Sequence, residues 1–346
     1  MLKQLLNTLY VQTQGAYLRL DHETLKLEVE RKTAFQVPLQ HLGGMVLFGN
    51  VMVSPFLLHR FAEDGRSVVW MTERGRFKCR LSGPISGNVL LRKAQYNAQM
   101  DPLLATEISR NIVAGKIRNS RTVVQRAARE TENVEDRDAL DEASKVLAAA
   151  LRAAGRVRTL DEVRGVEGHA GRVYFDNFGR MVRIGDTRVS FAFSGRNRRP
   201  PRDRVNALLS FVYALVRGDC VSACEGVGLD PQFGYLHALR SGRPSLALDL
   251  MEELRPILAD RLALTLINRG QLVAGDFDER PGGSVNLTDA GRKTVLTEYQ
   301  TRKKTEVSHP VLGGSLPLGL VPHVQARLLA RHLRGDAEAY LPFTPK

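Results

Sequence analysis

Cysteine is scarce in this 346-residue chain, which holds only Cys79, Cys220 and Cys224. Three thiols cannot build a disulfide framework, and a reducing cytoplasm is the compartment that suits them. Long apolar runs are also missing. None approaches the roughly 18 uncharged residues that a membrane span requires. The opening stretch MLKQLLNTLYVQTQ lacks the apolar core and small-residue cleavage site of a signal peptide, so no membrane partner is expected. There is no Walker-type loop, no GxGxxG after a strand and no GxSxG elbow. Nor is there a helix-turn-helix or C2H2 finger signature, which leaves sequence-specific transcription control without support. Acid, finally, is in short supply. Asp and Glu number 37 against 50 Lys and Arg, for a formal charge of +13. That excess points to a polyanionic partner, nucleic acid first.

What is present describes a folded chain. Apolar residues make up 43% and charged residues 25%, which excludes wholesale disorder. At about 150 residues per domain the length predicts two domains. Leu25, Leu27 and Val29 alternate with Lys26, Glu28 and Glu30, the period of a half-buried strand. Further extended candidates are Leu9 to Thr13, Tyr17 to Leu20, Phe35 to Val37, Met45 to Phe48 and Ser67 to Met71. Ser54-Pro55 opens one short helix, with Ser as cap and Pro as first helical residue. After Gly87 helix formers take over, with Pro102 starting a new helix. A strand pair is expected at Arg172–Phe175 and Arg180–Ile184. The fold class is therefore α+β: a small β-rich N-terminal domain, residues 1–88, followed by a larger, mostly α-helical C-terminal domain, residues 89–346.

Two segments concentrate acid and histidine in this basic chain. In Arg164-Gly165-Val166-Glu167-Gly168-His169, two glycines bracket Glu167 and let backbone pack closely beside its carboxylate. The second runs GLDPQFGYLHALRSGRPSLALDLMEELRP, from Gly228 to Pro256. Here His237 precedes a Gly/Pro loop and a helix that carries Asp249 and Glu252 three residues apart, on one face. Buried carboxylates need an opposing charge. Arg243 and Arg255 would supply it as salt bridges, and a metal ion would supply it as a ligand site. Pro256 cannot donate to the carbonyl of Glu252, so the helix is kinked beside these carboxylates. Carboxylates with one imidazole suit Mg2+ or Mn2+. Cys220 and Cys224 have no second thiol pair for zinc and read as small buried hydrophobes.

The densest basic run is Gly195-Arg196-Asn197-Arg198-Arg199-Pro200-Pro201-Arg202-Asp203-Arg204. Crowded guanidinium forks are relieved by phosphate oxygens, so Arg196, Arg198, Arg199, Arg202 and Arg204 are DNA-backbone candidates. Arg302, Lys303 and Lys304 form a second basic segment, either lining a nucleic-acid channel or forming a solvated face.

Taken together, GVEGHAGRVYF, GRNRRPPRDRVNALLSFVYALV, GLDPQFGYLHALRSGRPSLALDLMEELRP and LINRG with DFDERPGGSVNLTDAGRK resemble the CRISPR-associated spacer-acquisition integrase, the first protein of CRISPR adaptation modules. The spacing and the tail AYLPFTPK look most like the variant of type I-C systems. The resemblance implies that Glu167, His237 and Glu252 ligate Mg2+ or Mn2+, with Asp249 a further acidic residue beside them. Spacing alone does not choose between Glu252 and Asp249. The resemblance further implies a homodimer formed through the N-terminal β domain. A hetero-complex with the second, ferredoxin-like adaptation protein is also implied. The expected activity is metal-dependent endonuclease and integrase chemistry on double-stranded and branched DNA, the protospacer and the CRISPR repeat. A non-catalytic DNA-binding scaffold and a general repair nuclease are the alternatives.

Overall fold

A computed structural model describes residues 8–73, 77–81, 83, 89–183, 185–197 and 200–345. Ile184, Arg198 and Arg199, which belong to segments singled out above, lie outside them. The chain divides into two units, Met1–Ser86 and Gly87–Lys346.

In the first unit the period-2 alternation has its expected effect. Strand β3 (Thr24–Val29) buries Leu25 and Leu27 and leaves Lys26 and Glu28 half-exposed. The other elements are β1 (Thr8–Val11), β2 (Tyr17–Asp21), β4 (Lys32–Pro38), β5 (Gly44–Phe48), β6 (Met52–Val53), α1 (Pro55–Glu63), β7 (Ser67–Met71) and β8 (Phe77–Arg80). They form two four-stranded sheets, in the orders β1-β5-β7-β8 and β4-β3-β2-β6. Leu18 and Leu25 from one sheet, Met45, Leu47 and Val68 from the other, and Leu57 and Phe61 from α1 share one core. Ser54 caps α1 as expected, its hydroxyl accepting from Leu57 N at 3.3 Å. Strands β6 and β8 are not expected from the sequence, because a two-residue strand shows no period and the alternation of FKCR spans only four residues.

The second unit is built from α2 (Val89–Met100), α3 (Pro102–Glu130), α4 (Val134–Ala154), α5 (Leu160–Asp176), α6 (Asp186–Ser190), α7 (Arg204–Val227), α8 (Ser245–Leu254), α9 (Arg261–Asn268), α10 (Asp289–Lys303) and α11 (Val321–Leu333). Two small hairpins, β9 (Phe277–Glu279) with β10 (Val285–Leu287) and β11 (Glu306–Ser308) with β12 (Ser315–Pro317), complete it. The 29-residue α3, capped by Asp101 ahead of Pro102, packs against α4, α5 and α8. By length and composition α7 is apolar enough to cross a membrane. Here it is spent as a core helix against α8 and α11, with Cys220 and Cys224 fully buried as anticipated.

The expected strand pair is not found among the described residues of this unit. Arg172–Phe175 lies inside α5, and Phe178–Met181 forms a 3-10 turn. Tyr174 and Phe178, four residues apart, meet edge to face at 5.9 Å. That helical spacing within a packed aromatic cluster overrides the strand preference of Val, Tyr and Phe.

The last residues return to the core. Tyr340 and Phe343 are wholly buried, and both reach Glu253 on α8. The Tyr340 hydroxyl donates to Glu253 Oε1 at 2.5 Å, and Phe343 N donates to Oε2 at 2.6 Å. Gln325 adds a third bond at 2.9 Å, while Asn119 of α3 donates to the carbonyls of Glu253 and Phe343. Burial nevertheless pushes the Glu253 carboxyl up to about 7. A raised folded-state value means that the folded chain binds more protons than the unfolded chain between about 4.5 and about 7, so stability falls as pH rises through that window. Glu253→Gln removes the titration. Its stability relative to wild type should therefore rise with pH by about 1.4 kcal/mol per unit at most, read by denaturant titration at pH 5 and pH 7.5. Parallel curves would refute it.

Candidate metal centre

Asp249 organises the approach to the centre. Its Oδ2 accepts from Tyr235 N at 2.6 Å and Leu236 N at 3.1 Å, and its Oδ1 accepts from His237 N at 3.0 Å. The same Oδ1 lies 2.6 Å from His237 Nδ1. A fully buried carboxylate thus gathers three successive amides and one imidazole, which satisfies its charge without a metal. Because Oδ1 is an acceptor, Nδ1 carries a proton, and Nε2 is the nitrogen turned toward Glu252. Gly234 makes this nest possible. A Cβ there would stand 2.6 Å from Asp249 Oδ2 and 2.7 Å from Leu246 N, so no other residue fits.

Glu252, one turn on, is 2% exposed. Its Oε1 lies 3.1 Å from Arg255 Nη1 and 3.7 Å from His237 Nε2. Oε2 lies 2.7 Å from Lys116 Nζ, though without a well-aligned hydrogen bond. The Lys116 ammonium, carried on α3, also donates to Glu167 Oε1 of α5. Two carboxylates from different helices therefore converge on one cationic point beside an oriented imidazole. Burial opposes ionisation of Glu252, but Arg255, Lys116 and His237 outweigh it and hold the carboxyl down at about 2. Burial likewise works against the Lys116 ammonium, yet Glu252 and Glu167 keep its pKa above the usual value.

Glu167, His237 and Glu252 are thus brought together, with Asp249 behind His237 rather than facing the same point. The salt-bridge alternative is half realised, through Arg255. Lys116 escaped sequence reasoning. Its only signal was a lysine set among the buried positions Ile112, Val113, Gly115, Ile117 and Ser120 of a long helix. The glycines around Glu167 also need correcting. A Cβ at Gly165 or Gly168 would meet nothing within 4 Å, so they leave the flank of α5 bare instead of admitting close backbone. Arg164, on that helix, donates to Leu236 O at 3.0 Å and ties the His237 segment to α5.

Pro256 distorts the chain as expected, producing a π-helical stretch over Arg255–Asp260. That widened turn sets Arg255 over the Tyr213 ring at 5.0 Å and buries Asp260, which accepts from Tyr213 at 2.6 Å and Tyr174 at 3.0 Å. Burial lifts the Asp260 carboxyl to about 6.

Among the described residues, no three His, Cys, Asp or Glu side chains stand at coordinating distance around one point; Lys116 occupies the point of convergence. The donor set nevertheless fits a hard divalent ion: two carboxylates and a free imidazole nitrogen, with one carboxylate oxygen lacking an aligned hydrogen-bond donor.

The basic candidates divide. Arg196 turns inward, donating to Asn206 Oδ1 at 2.5 Å and lying 5.3 Å from the Tyr213 ring centre. Arg204 bonds Ser190 O at 2.6 Å and pairs with Glu279 at 2.7 Å. Lys303 is 4% exposed and paired with Asp219 at 2.8 Å, and Arg302 donates to Ile257 O at 2.9 Å. These four are engaged by the fold, because a buried or half-buried cation must find an acceptor. Arg202 and Lys304 are exposed, and Arg198 and Arg199 lie outside the described residues.

The two kinds of glycine make a test. Gly234→Ala should cost about 1–3 kcal/mol by overpacking, whereas Gly165→Ala should stabilise by about 0.5–1 kcal/mol by removing backbone freedom from a helix interior. Denaturant titration of both variants reads the difference, and equal effects would refute the nest.

Comparison with known proteins follows the same lines. Residues 9–301 match the family model described as CRISPR associated protein Cas1. A Moorella thermoacetica protein named CRISPR-associated endonuclease Cas1 is 59% identical over 339 residues, covering 98% of each chain. A Rhodospirillum rubrum namesake is 50% identical over 349 residues, covering 99% of each. In fold, the chain is similar to a CAS1 protein from Thermotoga maritima, with a TM-score of 0.80 at 22% identity over 98% of this chain and 99% of that one. It is equally similar to a casposase bound to integration product, with a TM-score of 0.81 at 22% identity over 97% and 93%. With the family model spanning most of its length and two relatives at or above half identity from end to end, the chain belongs to the CRISPR-associated Cas1 family.

Proposed function

We propose that this protein is a metal-dependent DNA endonuclease and integrase that inserts new spacers into a CRISPR array. The observation that carries the reading is the convergence of Glu167 and Glu252 on a single cation position beside His237 Nε2. Glu167, His237 and Glu252 would hold Mg2+ or Mn2+. When bound, such an ion supplies Lewis-acid polarisation of a phosphoryl oxygen and a counter-charge for the transition state. Asp249 positions His237 through Nδ1 and so fixes the tautomer that a ligand needs. The incoming 3′-hydroxyl oxygen forms a bond to phosphorus as the bond to the repeat's own 3′-oxygen breaks. Hydrolytic nicking is the same displacement with water. Arg202 and Lys304, and Arg198 and Arg199 by sequence, would grip backbone phosphates without reading bases.

Several features support the wider assignment. Relatives bear the name endonuclease, and one fold neighbour is a casposase bound to integration product. Another is a Cas6-RT-Cas1–Cas2 complex, of which this chain matches 37% at a TM-score of 0.81, in keeping with a second adaptation protein as partner. Exposed Phe35, Met52 and Phe56 on the β-rich unit fit a homodimer formed there. The tail AYLPFTPK supports the type I-C variant, and three cysteines that form no disulfide suit a reducing cytoplasm.

Glu167→Ala, His237→Ala and Glu252→Ala should each lower manganese-dependent joining and nicking of branched DNA by about 10²-fold or more, with folding retained by circular dichroism. Undiminished activity in His237→Ala would sink the metal assignment. A wild-type protein that binds DNA but shows no divalent-dependent cleavage would favour the scaffold reading, in which Lys116 and Arg255 are the permanent partners of the carboxylates. Lys116→Met separates these further. A neighbouring unit charge is worth on the order of 1–4 kcal/mol, so its removal should tighten Mn2+ binding on the order of tenfold by calorimetry. Weaker binding would make Lys116 an aid to the site and not its competitor.

A further inference from the structure

Besides the metal centre, the helical unit carries an open groove of about 800 Å³. Its walls are the last turns of α3, the stretch at 180–183 and one face of α9. Five arginines line it, Arg126, Arg180, Arg183, Arg261 and Arg269, against two acids, Glu130 and Glu132. Arg126 is paired with Glu130 at 2.6 Å, and Arg180 with Asp136 at 3.0 Å. Arg183, Arg261 and Arg269 have no ion-pair partner among the described residues, and Arg183 and Arg269 are exposed.

The groove is built rather than incidental. Asn268 of α9 accepts from Arg183 N at 3.0 Å and donates to Met181 O at 2.9 Å, which clamps the 181–183 stretch onto the helix and presents Arg183. Arg261 opens α9 and Arg269 caps its end, eight residues apart, about two turns or 12 Å. Repulsion is already felt there. Burial and the nearby Arg126 hold the Arg261 pKa below its usual value, against the opposing pull of Glu130. Behind it, burial with Arg261 and Arg126 brings Arg302 down to about 10. Unpaired guanidinium groups crowded in this way are stabilised by an anion. No aromatic side chain lines the groove, so it offers no stacking platform for bases.

We propose that this groove binds the sugar-phosphate backbone of a DNA strand, independently of base sequence, as that strand leaves the metal centre. Arg126 follows Lys116 by ten residues on α3, about 15 Å along the helix, and Arg261 follows Glu252 by nine residues, so the same two chain segments connect centre and groove. The inference rests on the reading of the protein as a DNA-acting enzyme. It adds a second contact region for the substrate arm.

The test uses the full chain with Arg183→Ala/Arg269→Ala, two exposed residues outside the metal centre, and with the corresponding double lysine variant. Binding to a branched DNA with a long duplex arm is measured against salt, for two unrelated sequences. Two lost phosphate contacts should flatten the slope of log affinity against log salt by roughly 2, equally for both sequences. The lysine variant should restore the slope. An alanine variant with the wild-type slope would overturn the groove while leaving the DNA reading intact. A loss confined to one sequence, or a slope the lysine variant fails to restore, would overturn a backbone-only contact. Wild-type protein that binds no DNA would overturn both readings.

Discussion

A buried carboxylate that draws three consecutive backbone amides and an imidazole onto itself is the interaction on which the centre depends. Asp249 sits on α8, while Tyr235, Leu236 and His237 belong to a segment with no regular secondary structure. Such a segment has no ladder to satisfy its donors, and unsatisfied buried amides are costly. One ionised side chain meets that need and at the same time fixes the His237 ring. Gly234 lets the segment come close enough, and Arg164 fastens it to α5. Loop conformation, imidazole tautomer and the seating of α8 are therefore one problem with one solution.

Charge compensation extends that arrangement through the unit. Glu252 and Glu167 are balanced by Lys116 and Arg255, two cations against two anions. Arg255 in turn rests on Tyr213, whose hydroxyl donates to Asp260, which also receives Tyr174 from α5. The π-helical stretch at Pro256 is what turns Arg255 and Asp260 to these partners. On the other side of α8, Glu253 is met by the returning C-terminal segment. Adjacent glutamates thus serve opposite ends: Glu252 faces the cation position, and Glu253 anchors Tyr340 and Phe343 in the core.

The same economy sorts the arginines. Those that the fold can reach, Arg196 and Arg204, are consumed by carbonyls, amides and one glutamate. Arg183, Arg261 and Arg269 have no ion-pair partner among the described residues, and part of the formal excess of +13 is expressed there and on the exposed Arg202 and Lys304. Net charge announces a polyanion, but only packing decides which cations remain available for it.

Much was legible in the sequence because it is encoded locally. Alternation in β3, the Ser-Pro opening of α1, the start of α3 at Pro102 and the break at Pro256 each follow from the preferences of a few adjacent residues. Acid and histidine concentrated in a basic chain marked the two segments that carry Glu167, His237 and Glu252, while the grouping of these three rested on the family likeness. What the sequence left open is set by partners distant along the chain. Lys116 lies 51 residues from Glu167 and 136 from Glu252, so nothing in its neighbourhood named its partners. The helical state of Arg172–Phe175 came from aromatic packing against strand propensity, and the open flank at Gly165 and Gly168 from the absence of any neighbour there. Which acid faces the cation and which orients the histidine was likewise undecidable from spacing. Asp249 and Glu252 share a helix face, and only the path of residues 234–237 across that face assigns one to each task, because a carboxylate goes to whichever donors tertiary packing brings within reach.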